Sequence, residues 1–159
     1  MTRALESSEK VIALVCGNEK SANHADGCDV DMLDAAEREM GLVFPPSYRR
    51  LLEEFGTWEI AGKEFFGVYK SPAGGDALLG TVEQTLEARH QIGLPADLMV
   101  VMVDDVWAYV VLDTSQGDQD GECPVFAWNP GLPGRDSMER VGGNFGSFAL
   151  EECQRAMST

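Results

Sequence analysis

Followed along the chain, the spacing of apolar residues changes from a helical period to a strand period and back again. Leu5, Ile12, Val15 and Cys16 predict a first helix over residues 4–16, and the polar stretch 17–28 (GNEKSANHADGC) predicts a loop. Asp29 or Asp31 can cap a helix running to about residue 40, with Val30, Leu33, Ala36 and Met40 along one face. Gly41 stands where a left-handed terminal residue favours glycine. Pro45 forces Phe44 out of helical geometry, while Pro46 fits a first helical turn, where its missing N–H costs nothing. A further helix follows, with Tyr48, Leu51, Leu52 and Phe55 on one face and Gly56 at its end. Leu42 and Phe44, in the extended linker, are expected to plug the core.

Beyond residue 56 the period is two. Trp58, Ile60, Phe65, Phe66, Val68 and Tyr69, punctuated by Gly62 and Gly67, predict short strands with tight turns. Residues 71–76 read as a loop, and 81–92 as a helix with Val82, Leu86 and Ile92 turned inward. The β-branched runs 98–103 and 106–112, separated by Asp104-Asp105, predict an antiparallel hairpin. An acidic turn over 113–122, a strand over 124–128 and a closing helix over 144–157 complete the chain, with Phe145, Phe148, Leu150 and Cys153 as core candidates. Helices, then antiparallel strands, then a closing helix is an α+β pattern, and no internal repeat interrupts it.

Length and charge narrow the classes. A chain of 159 residues, 44% apolar and 25% charged, is one soluble globular domain of ordinary size. Twelve Lys and Arg against 27 Asp and Glu leave a net charge of −15. Phosphate backbones and anionic membranes repel such a chain, whereas a basic protein would be steered toward it. The run 11–16 is far shorter than the ~20 residues of a membrane span, and no targeting segment is visible, so the expected location is cytoplasmic. The four scattered cysteines are then expected to be reduced thiols, buried or half-buried.

Catalytic and metal-binding patterns are poorly represented. His24 and His90 are the two histidines available as bases, and no G-x-S-x-G elbow is present. Cys16, His24 and Cys28 share a loop but lack the close ligand pair typical of a structural zinc site. The segment from Asp113 departs from the calcium-loop pattern, because its glycine is misplaced and its twelfth position is Pro124. No enzymatic activity, cofactor or metal is expected.

Recognition remains. From His90 to Gly134 there is no Lys or Arg, while Asp97, Asp104, Asp105, Asp113, Asp118, Asp120 and Glu122 all fall there. The candidate partner contacts are Glu53, Glu54, Trp58, Glu59, Asp104, Asp105, Trp107, Asp113, Asp118, Asp120 and Trp128. Carboxylates would raise the rate of association with a basic face, and indoles would supply desolvated anchors. The alternative is that the acids are solvated turn residues and the aromatics are core; Trp58, Trp107 and Trp128 fit either role, while Tyr109 and Phe126 read as core.

Several strings in this order resemble the SUKH superfamily. They are Glu37-x-x-x-Gly41, Leu42-x-Phe44-Pro45, Tyr48-x-x-Leu51-Leu52, Gly56, Trp58, Gly62, Phe66-Gly67, Leu112-Asp113-Thr114, Gly121-Glu122-Cys123-Pro124-Val125-Phe126-x-Trp128 and Ser147-Phe148-x-Leu150. The resemblance covers residues 29–157 and leaves 1–28 as an N-terminal helix and loop extension to a SUKH-like domain over 29–159. It implies a single α+β domain in which helices flank a curved, mostly antiparallel sheet. It also implies a non-enzymatic immunity protein whose partner is a cognate toxin, often a nuclease or deaminase. A minority of members, including a fungal cell-wall-assembly regulator, are interaction modules in signalling. Immunity surfaces are tailored to one partner, so the resemblance implies no particular contact residues.

Overall fold

The computed structural model describes residues 1–73, 75–103, 108–131 and 138–158. The chain opens with α1 (Arg3–Gly17), β1 (Ala22–Asp26), α2 (Val30–Met40), α3 (Pro46–Glu54) and β2 (Phe55–Ile60). Then come β3 (Lys63–Phe65), β4 (Val68–Lys70), β5 (Leu78–Gly80), α4 (Thr81–Ile92) and β6 (Leu98–Val103). It closes with β7 (Tyr109–Asp113), a 3-10 turn (Thr114–Gln116), β8 (Val125–Trp128), β9 (Glu139–Gly142) and α5 (Phe145–Met157).

The expected α+β class is observed, with every strand pairing antiparallel. The strands form three ladders, β1-β2-β3, β4-β5 and β6-β7-β8-β9. One backbone bond joins the first ladder to the third, Phe66 N–H donating to Val101 O (2.8 Å), while Thr81 N–H to Gly67 O (2.8 Å) extends the β4–β5 pair by one position. A Cβ at Gly67 would lie 2.0 Å from the carbonyl oxygen of Gly56, so only glycine permits these backbones to approach so closely.

Local signals account for most element ends. The Asp29 carboxylate accepts from Met32 N–H and caps α2, and Gly41 takes the left-handed conformation (φ 69°) at its end. Glu37 reaches back over the linker, accepting from Phe44 N–H (2.7 Å), and so seats Phe44 in the core at 3% exposure. The main core gathers Val11 and Val15 of α1, Leu33 of α2, Tyr48 and Leu51 of α3, Trp58, Phe65 and Phe145. A second cluster joins Leu98, Val100, Val111 and Trp128 to Ala88 and Leu94 around α4. Strand β6 is thus covered on both faces, which is why its sequence is an unbroken apolar run.

Three expectations are corrected. Residues 17–28 are not all loop, because 22–26 form β1, and the reason is tertiary: the segment has little strand propensity but pairs with β2. The α3 helix ends at Glu54 rather than at Gly56, and Phe55 already opens β2 in extended geometry. The short strands β5 and β9 were not expected at all. Helix α1 lies against α3 and α5 and contributes residues to the main core. The expected hairpin is present as β6 and β7, but its tip at Asp104 and Asp105 lies outside the described residues.

One buried polar junction ties the two halves of the chain. Pro45 stands at the N-cap of α3 and offers no side-chain acceptor. Glu122 supplies one from 75 residues away: its carboxylate accepts from Ser47 N–H (2.9 Å) and from Ser47 Oγ (2.7 Å). Ser47 Oγ in turn accepts from Gly146 N–H at the start of α5 (3.0 Å), and Ser8 Oγ of α1 donates to Ser47 O (2.8 Å). Gly146 lets α1 and α5 touch, since a Cβ there would lie 2.2 Å from Ala4 O.

Burial raises the Glu122 pKa above the ordinary carboxylate range; the two Ser47 bonds oppose this, and Asp118 and Asp120 add to it. Because the folded value is raised, this residue's contribution is full below the unfolded pKa and is lost as pH rises through the folded one. Glu122→Ala, which strands the Ser47 donors, is expected to cost about 1–3 kcal/mol in urea unfolding. Glu122→Gln is expected to remove the fall in stability with rising pH that the same measurement records for the parent.

Candidate partner-binding surface

The carboxylates expected at a partner surface fall into two groups. Glu53 and Glu54, at the end of α3, are exposed, and Glu59, in β2, is half-exposed. Glu54 is engaged by Arg50 Nη2 (3.1 Å), an arginine that also holds Glu9 of α1 (2.6 Å). Glu53 and Glu59 make no ion pair among the described residues. Asp118 and Asp120 are exposed in the turn before β8, where Asp118 accepts from Asp120 N–H (2.8 Å) and Glu122 N–H (3.0 Å). That turn packs on Pro46 at the start of α3, because a Cβ at Gly121 would lie 3.5 Å from Pro46 Cδ. Nine helical residues, about 13 Å, therefore separate the two groups, and the fold does not bring them together.

Three candidates prove to be internal. Trp58 is 1% exposed, since its register opposite Phe65 turns both rings to the core, where they stack at 5.1 Å with planes 7° apart. Its indole nitrogen is buried without a hydrogen-bond partner among the described residues. Trp128 is 7% exposed and lies beside Tyr109 in the cluster around α4. Asp113 is 3% exposed because its carboxylate works locally, accepting from Ser115 N–H (3.0 Å), Ser115 Oγ (2.6 Å) and Gln116 Nε2 (2.7 Å). These three offer a partner almost no surface. Asp104, Asp105 and Trp107 lie outside the described residues.

One surface carboxylate was missed. Glu64 of β3 lies directly across from Glu59 in the β2–β3 register. The signal was present in the sequence, because a two-residue turn at Ala61-Gly62 places residues 59 and 64 opposite one another.

Other chemistry is sparse among the described residues. Burial pushes the Cys28 and Cys123 thiols up to about 11 and Cys153 up to about 12, which keeps them protonated at neutral pH, while Cys16 is exposed. His24 of β1 and His90 of α4 lie on different elements. No group of three or more His, Cys, Asp or Glu side chains is placed to hold a metal ion among the described residues. A groove of about 330 Å³ runs between α5 and the four-stranded ladder, over Met102, Val110 and Phe148. Its rim mixes Lys63, Arg140 and Arg155 with three glutamates, and Glu152 already binds Lys63 (3.8 Å) and Arg155 (2.7 Å).

Such a molecule is a single α+β domain of five helices and three antiparallel ladders among the described residues. The family model SUKH_5, described as SMI1-KNR4 cell-wall, matches residues 1–154, and the chain belongs to the SUKH superfamily. The match begins at residue 1 and so takes in α1 and β1. The superfamily is generally associated with immunity proteins, and its domains are generally non-catalytic. Among the described residues, no helix is long and apolar enough to cross a membrane.

The internal position of Trp58 is checked by Trp58→Ala. Loss of a fully buried indole is expected to cost about 3–5 kcal/mol in urea or thermal unfolding; a surface indole would give almost no change.

Proposed function

We propose that this protein is a non-enzymatic immunity protein, acting in the cytoplasm, that binds a bacterial toxin and neutralises it through an acidic surface. Membership of the SUKH superfamily supports the class of function. The observation that carries the acidic-surface part is the exposure of Glu53 and Glu59 with no cation paired to them among the described residues, in a chain of net charge −15. Uncompensated carboxylates accelerate encounter with a basic face and disfavour acidic or nucleic-acid partners. The toxin's contacting face is therefore basic, as it is in many nucleases. The family description SMI1-KNR4 cell-wall favours a second reading, a regulatory interaction module without a toxin partner.

A toxin encoded beside this gene would provide the test. An equimolar amount of this protein is expected to abolish its activity, with an association rate that falls steeply as salt is added. Full toxin activity under saturating protein, with no complex at low salt, sinks the reading. A locus with signalling neighbours and no toxin would move the weight to the regulatory module.

A further inference from the structure

The outer face of β1-β2-β3 carries an arrangement that folding alone does not account for. Glu59 and Glu64 are directly opposed on adjacent antiparallel strands. Opposed residues in such a pair have Cβ atoms about 4.5–5.5 Å apart, and like charges there are destabilising. No ion pair to either is found among the described residues. Lys63, the cation next in sequence to Glu64, lies across from Ile60 on the other face and binds Glu152 of α5 (3.8 Å). The fold has thus turned the available cation away from the pair.

The same face is open and shaped. Asn23 and Glu64 are exposed, and Ala25, Thr57 and Glu59 half-exposed, so no other element among the described residues covers them. Together with His24 they border a recess of about 280 Å³. His24 does not answer the carboxylates, since its ring leans on Phe55, 4.6 Å away. An apolar recess beside two unneutralised carboxylates matches one kind of side chain, that of lysine or arginine, which has an apolar stem and a charged head.

We propose that the outer face of β1-β2-β3 is the docking surface, and that its occupant is a basic protein segment which seats a Lys or Arg side chain between Glu59 and Glu64. This rests on the reading that the molecule binds a basic partner, and it selects one of the two acidic groups over the turn at Asp118 and Asp120. Complementarity of charge is what commits the face to this occupant. The partner's cation relieves a repulsion that the free protein carries, so the pair is a site where stability and binding are opposed.

The probe is a short peptide rich in lysine and arginine, titrated at low salt into the isotopically labelled full chain. Amide shifts are expected to concentrate at 23–25, 57–59 and 64. The E59Q/E64Q double variant is expected to weaken binding at least tenfold while raising the unfolding midpoint, so a folding defect cannot explain the loss. E39Q/E83Q, which removes the same charge from exposed positions on α2 and α4, is expected to change affinity less than twofold. Shifts centred on 118–120 or scattered over the surface, or equal losses in the two double variants, overturn the docking face. These outcomes are independent of the toxin assay: a toxin neutralised with E59Q/E64Q as well as with the parent leaves the immunity reading standing and removes this one.

Discussion

A carboxylate buried where three helices meet must find donors, and the way Glu122 finds them organises the molecule. Pro45 and Pro46 start α3 sharply but leave its first turn without a side-chain cap, so the helix needs an acceptor from elsewhere. Glu122 provides it, and Ser47 passes the connection on to α5 through Gly146 and receives α1 through Ser8. A half-satisfied junction would be worse than an apolar one, which makes the arrangement all-or-none. It also explains two motif strings at once: the segment after Phe44-Pro45 and the segment Gly121-Glu122-Cys123-Pro124 are the two ends of one buried hydrogen-bond set.

With that junction in place, the position of the acidic groups follows. The 118–122 turn is drawn to the start of α3, and β2 leaves from its far end, so the two sets of surface carboxylates are held apart by the helix itself. Of the acids in the stretch from His90 to Gly134, Asp113 and Glu122 are internal and serve the fold. The surface charge relevant to a basic partner is therefore less extensive than the composition suggests. Across strands β2 and β3 the register opposes Glu59 and Glu64, with Lys63 facing away.

Much of the fold was legible because its signals are local. Asp29 and Gly41 mark both ends of α2, Pro46 marks the start of α3, and the unbroken apolar run of β6 marks a strand buried on both faces. Strand β1 was illegible for the opposite reason: Ala22–Asp26 has no strand pattern of its own and is extended because β2 offers it an edge. The site divided in the same way. Glu53 and Glu59 were readable as surface because charged side chains avoid burial, Trp58 and Trp128 were ambiguous residue types whose burial is set by neighbours distant in sequence, and Asp113 departs from the rule for charges because Ser115 and Gln116 satisfy its carboxylate locally.

By itself, the sequence determined the class of protein, most of the element types and the net charge, since period, caps, prolines and composition are properties of short windows or of the whole chain. Only the tertiary structure decided which acids face outward, which of them are paired and which face lies open. Those outcomes depend on strand register and helix packing, where a shift of one residue exchanges core and surface. The juxtaposition of Glu59 and Glu64 belongs to this second kind, because opposing strands bring together charges whose isolation depends on where Lys63 finds its partner.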